Sequence, residues 1–503
     1  MLRGFTRKFK PLEILTEGQV EEIHQATLDV LWQTGVTFHH QKALKLFANN
    51  GCRVDSEEER VHFPPGLAEE CLRKVPSSFR FKARDPKNDL LYGGNTVYFG
   101  NMPGMQTVDL DTWEPQVPTR KENYDGVTVL DALDNCHFMD AYTPYFGFED
   151  VPEVMKMLES DAAKIRNSTK VQGTGYANDC EVFSIQMSQA VGADLIGRSL
   201  PAPPLTYYGD AVEAALRYIE AGFPVQLGVG GIMGETYPAT IAGSLVIGNA
   251  ECIAGIVLTQ LVKPGHPNMV DCFTFPANMK TGAPGFGQIG ISLLHVVFNQ
   301  MWRNYGIPIY GNADTPSSSK AIDFQCGYER AVSFTINALS GANSMHIYGG
   351  LHGELTYHPI QSILDDDIAG MVGRFLEGVT VSDETIALDL IEQVGPIPGQ
   401  YLDTAHTRKW WKKEQFVPKA ADLLTYPEWM QSGKKSCLDY AKERMEEILA
   451  THKVSIPLTT SQEEDIERIL NEARKYYRDK GLISDAEWTV YMKTLESPDY
   501  PYG

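Results

Sequence analysis

From about residue 96 to about residue 405, short apolar runs alternate with longer stretches whose apolar positions recur at helical spacing. The runs at 137–141, 170–174, 205–208, 225–229, 269–273, 308–311 and 344–348 read as strands. Between them, residues 210–221, 238–262, 289–305 and 321–339 read as helices, with Pro238 suited to a first turn. Strands and helices in this alternation imply a parallel sheet, and six to eight such units over about 300 residues imply a (β/α)8 TIM-type barrel. A doubly wound open sheet fits the same alternation, and the eighth strand is not placed.

The flanks follow other patterns. Thr16 opens a capping-box-like start to a helix at 15–34, with Val20, Ile23, Ala26, Thr27, Val30 and Leu31 on one face. Residues 52–98 alternate short polar and apolar pieces around Pro64, Pro65, Pro76, Gly93 and Gly94, as strands and turns do. The chain therefore divides into an N-terminal helix and strand extension at 1–95, a catalytic α/β barrel at 96–405 and a C-terminal helical extension at 406–503. That last part carries opposite charges about one turn apart, such as Glu463 and Arg468, on a face that suits either solvent or a partner.

Composition narrows the function. The 503 residues carry a formal net charge of -21, with Lys and Arg clustered only in short runs such as 408–413, which argues against a nucleic-acid partner. The eight cysteines form no C-x-x-C pair and sit among apolar residues, as buried thiols of a reducing cytoplasm do. The N-terminus lacks the apolar core of a secretory signal. The apolar run at 240–262 has Asn249 and Glu251 near its centre and reads as a buried helix, not a membrane span.

In a barrel the chemistry belongs to the loops that leave the carboxyl ends of the strands. Those loops are rich in rings: Tyr142, Tyr145, Phe146 and Phe148, then Tyr176, Tyr207 and Tyr208, then Phe273 and Phe275. Rings gathered at a mouth suit a quaternary ammonium ion, which donates no hydrogen bond and is held by ring quadrupoles, although single rings also serve cores. The segment 311–330 brings Asp314, Lys320, Asp323, Gln325 and Glu329 after a strand, where Ser317 to Ser319 could equally cap a helix. His346, His352 and His358 lie six residues apart, a spacing that matches no helical or zinc-finger metal site, so no metal is expected. The glycine run from Gly228 to Gly234 lacks the register of a dinucleotide loop and reads as a tight turn.

Several segments resemble the trimethylamine methyltransferase family in order and spacing. They are the D-D-D-I-A-G-M helix from Asp365, D-E-T-I-A-L-D from Asp383, T-A-H-T from Thr404 and Y-P-E-W-M-Q-S-G from Tyr426. The Asp314, Lys320, Asp323, Gln325, Glu329 pattern, P-A-T-I-A-G from Pro238, L-V-K-P-G from Leu261 and D-A-L-D from Asp131 extend the resemblance over most of the chain. The segment Gly395-Pro-Ile-Pro-Gly-Gln departs from the family's usual G-P-G-G turn.

The resemblance implies a barrel fold and transfer of a methyl group from a methylated amine to Co(I) of a corrinoid, cobalamin-type, carried by a separate cognate protein. The trimethylamine enzymes of the family use pyrrolysine, and this chain has none. Its pyrrolysine-free members look like betaine demethylases, so the expected substrate is a quaternary amine, foremost glycine betaine, with dimethylglycine released. Proline betaine, carnitine or γ-butyrobetaine are alternatives, as are a non-catalytic betaine-binding protein and a metal-dependent barrel hydrolase. On this reading His346 and Asp314 are the catalytic candidates. Tyr98, Phe99, Tyr142, Tyr145, Phe275 and Tyr348 would form the cage, with Gln172 and His352 as polar contacts. The substrate carboxylate would fall to histidines or backbone amides, since no arginine lies in the proposed loops. A cytoplasmic homo-oligomer is expected, with no membrane and no nucleic acid.

Overall fold

The computed structural model describes residues 4–141, 147, 149–311 and 316–501. It is a mixed α/β fold built on a curled parallel sheet. Strand β1 (Thr96–Asn101) pairs in parallel with β2 (Phe138–Met139), and the sheet continues through β3 (Val171–Gly173), β4 (Leu195–Ser199), β5 (Val225–Val229) and β6 (Asn268–Cys272). On its other side β1 pairs in parallel with β7 (Ser344–Tyr348), with an irregularity between His346 and Tyr348. Two single parallel bridges, Val270 to Ile309 and Tyr310 to Ser344, lie between β6 and β7.

Alternation along each strand sorts side chains between two cores. Tyr98, Phe138, Val171, Ile196, Met269 and Tyr310 pack together on the inner face, joined by Tyr92 from the extension. Phe99, Met139, Leu195, Val225, Leu227, Val270, Ile309 and Ile347 pack outward against helices. Strands buried on both faces read as continuous apolar runs, which is why their positions were visible in the sequence.

Two strands differ from the expectation. Residues 205–208 are not the third sheet strand: Thr206 and Tyr207 pair in parallel with Thr37 and Phe38 of the N-terminal extension. The sheet position belongs to β4, whose run carries Arg198 and two small residues, Gly197 and Ser199, and so has a weaker apolar signal. The unplaced strand is β1, which lies at the start of the proposed barrel and pairs on both sides.

The helices relevant below are α1 (Glu17–Asp29), α2 (Arg120–Ala132), α3 (Glu153–Asn167), α4 (Cys180–Ala190), α5 (Gly209–Ala221), α6 (Ile241–Val262), α7 (Ile289–Asn304), α8 (Phe324–Ser340), α9 (Pro359–Leu376), α10 (Cys437–Thr451) and α11 (Thr460–Asp479). Thr16 caps α1 in a capping box, as its sequence suggests. Pro238 lies outside α6, which Thr240 caps, and α8 is capped by Asp323 and not by Ser317 to Ser319. Helix α6 is long and apolar enough to cross a membrane, yet 72% of its most apolar window is buried in protein. Asn249 there accepts from Trp302 Nε1 at 2.9 Å, and Glu251 accepts from the Leu205 amide at 2.6 Å and from the Tyr237 hydroxyl.

The C-terminal extension is tied down. Ile466, Ile469, Leu470, Ala473 and Tyr477 of α11 are buried with residues of α3 and α4. Each such aliphatic side chain contributes about 1.5–3 kcal/mol, against ~0.2–1 kcal/mol for an exposed ion pair, so packing decides the docking. Glu463 does not pair with Arg468. It bonds Arg166 of α3 at 2.6 Å, whereas Arg468 pairs with Asp465 and Glu472, both at 2.9 Å.

Candidate active site

The inner face changes from apolar to polar at the carboxyl ends of the strands. Asp140, just past β2, Arg198 on β4, Tyr310 and His346 on β7 form one hydrogen-bonded cluster, all fully or almost fully buried. Arg198 pairs with Asp140 through Nη2, and the same nitrogen lies 3.3 Å from the Tyr310 hydroxyl. Tyr310 Oη is 3.0 Å from Asp140 Oδ1 and 3.1 Å from His346 Nε2. His346 Nδ1 lies 2.6 Å from the Gly311 carbonyl, which only accepts, so Nδ1 carries the proton. Burial drives His346 down to about 3, despite that carbonyl, so the ring is neutral and Nε2 presents a lone pair to the Tyr310 hydroxyl. Burial pushes the Tyr310 phenol well up, which keeps its proton in place.

Neighbouring strands hold this cluster still. The Asp140 amide donates to Oδ1 of Asn101, the last residue of β1, at 3.0 Å. Lys164 of α3 donates to the carbonyls of Asp140 and Gly173, both at 3.0 Å, and pairs with Asp161 at 2.9 Å. On β5, Gln226 lies in register with Arg198 and donates through Nε2 to Asp271 Oδ2 at 2.7 Å.

Above the strand ends, the segment after β7 folds back as a short hairpin of Gly350–Leu351 and Thr356–Tyr357. Its tip is pinned on the loop before α8: the His352 amide donates to Ser319 O and the Gly353 amide to Ser317 O, both at 2.8 Å. A side chain at Gly353 would collide with Phe286, whose ring packs on Phe275, itself packed on Phe273, with centroids 4.9 and 4.7 Å apart. The next residue, Glu354, is half-buried. Burial raises its carboxyl to about 7, and the charge that opposes the rise is Arg198.

The D-D-D motif in the middle of α9 supports this hairpin. Asp365 takes a two-pronged bond from Arg330 at 3.0 and 2.8 Å and accepts from the Gly349 amide at 2.8 Å, while Arg330 Nη1 donates to Gly350 O at 2.7 Å. Asp366 accepts from Asn135 and Tyr348, and Asp367 accepts from the amides of Lys419 and Ala420. Glu329, from the second pattern, accepts from Ser317 Oγ and the Ser318 amide at 2.7 and 2.9 Å. These motif acids hold loops in place.

The proposed site residues are scattered by this geometry. His346 joins the cluster and is fully buried, with Nε2 facing the Tyr310 hydroxyl at 3.1 Å. Tyr98 lies deep in the inner core, and its hydroxyl accepts from the Leu91 amide at 2.9 Å, away from the strand ends. Phe99 faces outward against Phe5 and Phe334, and Tyr348 faces outward to Asp366. These three rings are not part of a cage, because strand alternation or depth turns them elsewhere. Gln172 also faces the helices, beside Asp161, Ile165 and Ser184. Phe275 lies just past β6, buried in an apolar cluster with Ile291, Phe273 and Phe286. His352 sits in the hairpin turn with φ +47°, and His358 caps α9 by accepting from the Ile360 amide at 3.1 Å. Asp314, Tyr142 and Tyr145 lie outside the described residues.

Arg198, Asp140, Tyr310, Gln226 and Glu354 were missed. The signal for Arg198 was a lone cation inside the run Leu195-Ile-Gly-Arg-Ser, on the same parity as inward-facing Ile196. The glycine run reads as expected at Gly231, where the Tyr237 ring occupies the space a side chain would need.

Comparison with known proteins gives this geometry a context. The model of the trimethylamine methyltransferase (MTTB) family matches residues 1–472. A glycine betaine methyltransferase of Desulfitobacterium hafniense (strain Y51) is 30% identical over 455 residues, covering 87% of this chain and 92% of that one. The trimethylamine methyltransferase MttB of Methanosarcina barkeri (strain Fusaro / DSM 804) is 27% identical over 485 residues, covering 93% and 96%. Among solved structures, the Methanosarcina barkeri monomethylamine methyltransferase MtmB aligns with a TM-score of 0.50 at 11% identity, covering 96% of this chain and 91% of that one. The chain is a methyltransferase and belongs to the trimethylamine methyltransferase (MTTB) family.

Proposed function

We propose that this methyltransferase takes a methyl group from a small quaternary amine, foremost glycine betaine, and passes it to Co(I) of a corrinoid carried by a separate protein, leaving dimethylglycine. The observation that carries this reading is that the turn holding the half-buried Glu354 packs at Gly353 on Phe286, whose ring joins those of Phe275 and Phe273. A permanent cation satisfies both, the carboxylate by charge and the rings by their quadrupoles. The relative named as a glycine betaine methyltransferase supports the same substrate.

The chemistry agrees. A tertiary amine is a poor methyl donor unless its nitrogen becomes cationic, whereas a quaternary nitrogen already carries the charge and leaves as a neutral amine with the C–N electron pair. No residue need protonate it, which suits a cluster whose histidine is neutral and whose tyrosine keeps its proton. The protein's task is to orient one N-methyl toward the opening and to exclude water. We further propose that the sheet closes as an eight-stranded (β/α)8 barrel, with 309–310 as the remaining strand; the two single bridges beside it support this.

The test is to mix the purified protein with Co(I)-cobalamin and a panel of amines, and to follow the absorbance change of methyl–cobalt formation. Methyl transfer from glycine betaine is the expected result. Transfer from trimethylamine with none from any quaternary amine would overturn the proposal.

A further inference from the structure

Two unbonded polar groups at the strand ends remain unexplained by the hydrogen-bonded cluster. Arg198 is 3% exposed and uses Nη2 for Asp140 and Tyr310, but its Nε–H is buried with no hydrogen-bond partner among the described residues. In register on the adjacent strand, Gln226 Oε1 is also buried and unbonded among the described residues, because Nε2 is committed to Asp271, which can only be served by a donor. Buried donors are rarely left unmet, and a guanidinium edge without an acceptor is among the costlier cases. Glu354, half-buried on the turn whose Gly353 packs on Phe286, has no hydrogen bond or ion pair to its carboxylate among the described residues, and Arg198 is the cation that acts on it. A guanidinium edge lacking an acceptor and a carboxylate lacking a cation stand within electrostatic reach of each other without bonding. One ligand with both charges completes them.

We propose that the free Nε edge of Arg198 and the Glu354 carboxylate are the two poles of one site, binding a zwitterion whose carboxylate lies a short distance from its quaternary nitrogen. The carboxylate lies against Arg198, and the ammonium methyls lie against Glu354 and the phenylalanine rings. Gln226 Oε1 does not compete for the carboxylate, since both are acceptors; it sits beside a ligand N-methyl or a bound water. This inference rests on the quaternary-amine reading and names the two residues that select among such amines. It replaces the expectation that histidines or backbone amides meet the substrate carboxylate.

The experiment is calorimetric binding to the full-length protein of glycine betaine and of choline, which share the trimethylammonium head and differ in carboxylate against hydroxyl. Wild-type protein is expected to favour glycine betaine. Because removing Arg198 alone strands Asp140, the variant is R198Q combined with D140N, checked for folding by circular dichroism. Its affinity for glycine betaine is expected to fall about 10- to 100-fold while that for choline changes less than about threefold. Glu354→Gln, on a turn, is expected to weaken both ligands by a similar factor of about 10. If the Arg198 variant weakens both ligands alike, or if Glu354→Gln leaves both unchanged, the two-pole assignment is wrong. Wild-type protein that transfers methyl groups from quaternary amines but binds choline as tightly as glycine betaine also overturns it, while leaving the proposed reaction standing. Wild-type protein that binds neither ligand and transfers from neither sinks both.

Discussion

Asp365 shows how much of a recognisable motif is structural. It sits fully buried, and its two oxygens meet Arg330, Gln361 and the Gly349 amide, so it ties α8 and α9 to the start of the loop carrying Glu354. Replacing it with Leu leaves the Arg330 charge buried without a counter-ion, and the expected loss is about 3–5 kcal/mol, measured by urea unfolding. An unchanged unfolding midpoint would mean that the pair contributes nothing net. Glu354 makes a different prediction, about pH. Its carboxyl is raised to about 7, held up by burial and pulled down by Arg198. Below that value the site must release a proton to bind a cation, so affinity for a quaternary amine should rise with pH through about 7 and level off above it. The Glu354→Gln variant should lose that dependence, and calorimetry in buffers of different ionisation enthalpy would read the released proton.

At the scale of elements, two buried glutamates on helices act in opposite pH windows. Glu159 of α3 is fully buried, which by itself would raise its carboxyl, but Arg120 of α2 and Arg474 of α11, both at 2.9 Å, outweigh burial and hold it at about 2. A depressed carboxyl contributes stability that is present above its unfolded value and lost as pH falls through about 2. Glu159→Gln should therefore destabilise the docking of α11 at neutral pH, by about 3–5 kcal/mol, and the deficit should shrink toward low pH. Glu251 of α6 has no cation beside it among the described residues, and burial raises it to about 7 despite its bonds to Tyr237 and the Leu205 amide. Its contribution is greatest below the unfolded carboxylate value and is lost as pH rises through about 7. Glu251→Gln should thus raise the melting temperature at pH 8 relative to wild type, and a fall there would refute this account.

At the scale of the whole molecule, the segment after α9 leaves apolar side chains uncovered. Residues 379–402 include two short helices, Asp383–Ile386 and Leu388–Val394, with no buried residue, and Val379, Val381, Ile397 and Leu402 are each more than three-quarters exposed. Beside them lies a cavity of about 790 Å³ lined by Phe9, Leu12, Met371, Phe375 and Phe416. Helices this short are not stable alone in water. An arm and an adjoining groove on the same chain are what a two-fold exchange between copies needs, so we propose a second copy as the occupant. Ile397→Glu with Leu402→Glu is expected to convert an oligomer to monomer in light scattering, and wild-type protein that is monomeric at micromolar concentration would exclude it.

Residues 225–229, 269–272 and 344–348 were legible as strands because burial on both faces demands unbroken apolar runs. The caps at Thr16, Thr240 and Asp323 are local hydrogen bonds, yet only the first was read correctly, since Pro238 and Ser317 offered plausible competitors nearby. The sequence by itself determined the α/β alternation, the helical C-terminal extension and the methyltransferase family, because periodicity and motif spacing are properties of the chain read in order. Only the tertiary structure decided that Arg198, Asp140, Tyr310 and His346 meet, that Tyr98, Phe99 and Tyr348 turn away, and that Glu354 is brought over them. Those outcomes depend on strand parity, sheet register and a loop pinned from another element, and all three are set by contacts between residues far apart along the chain.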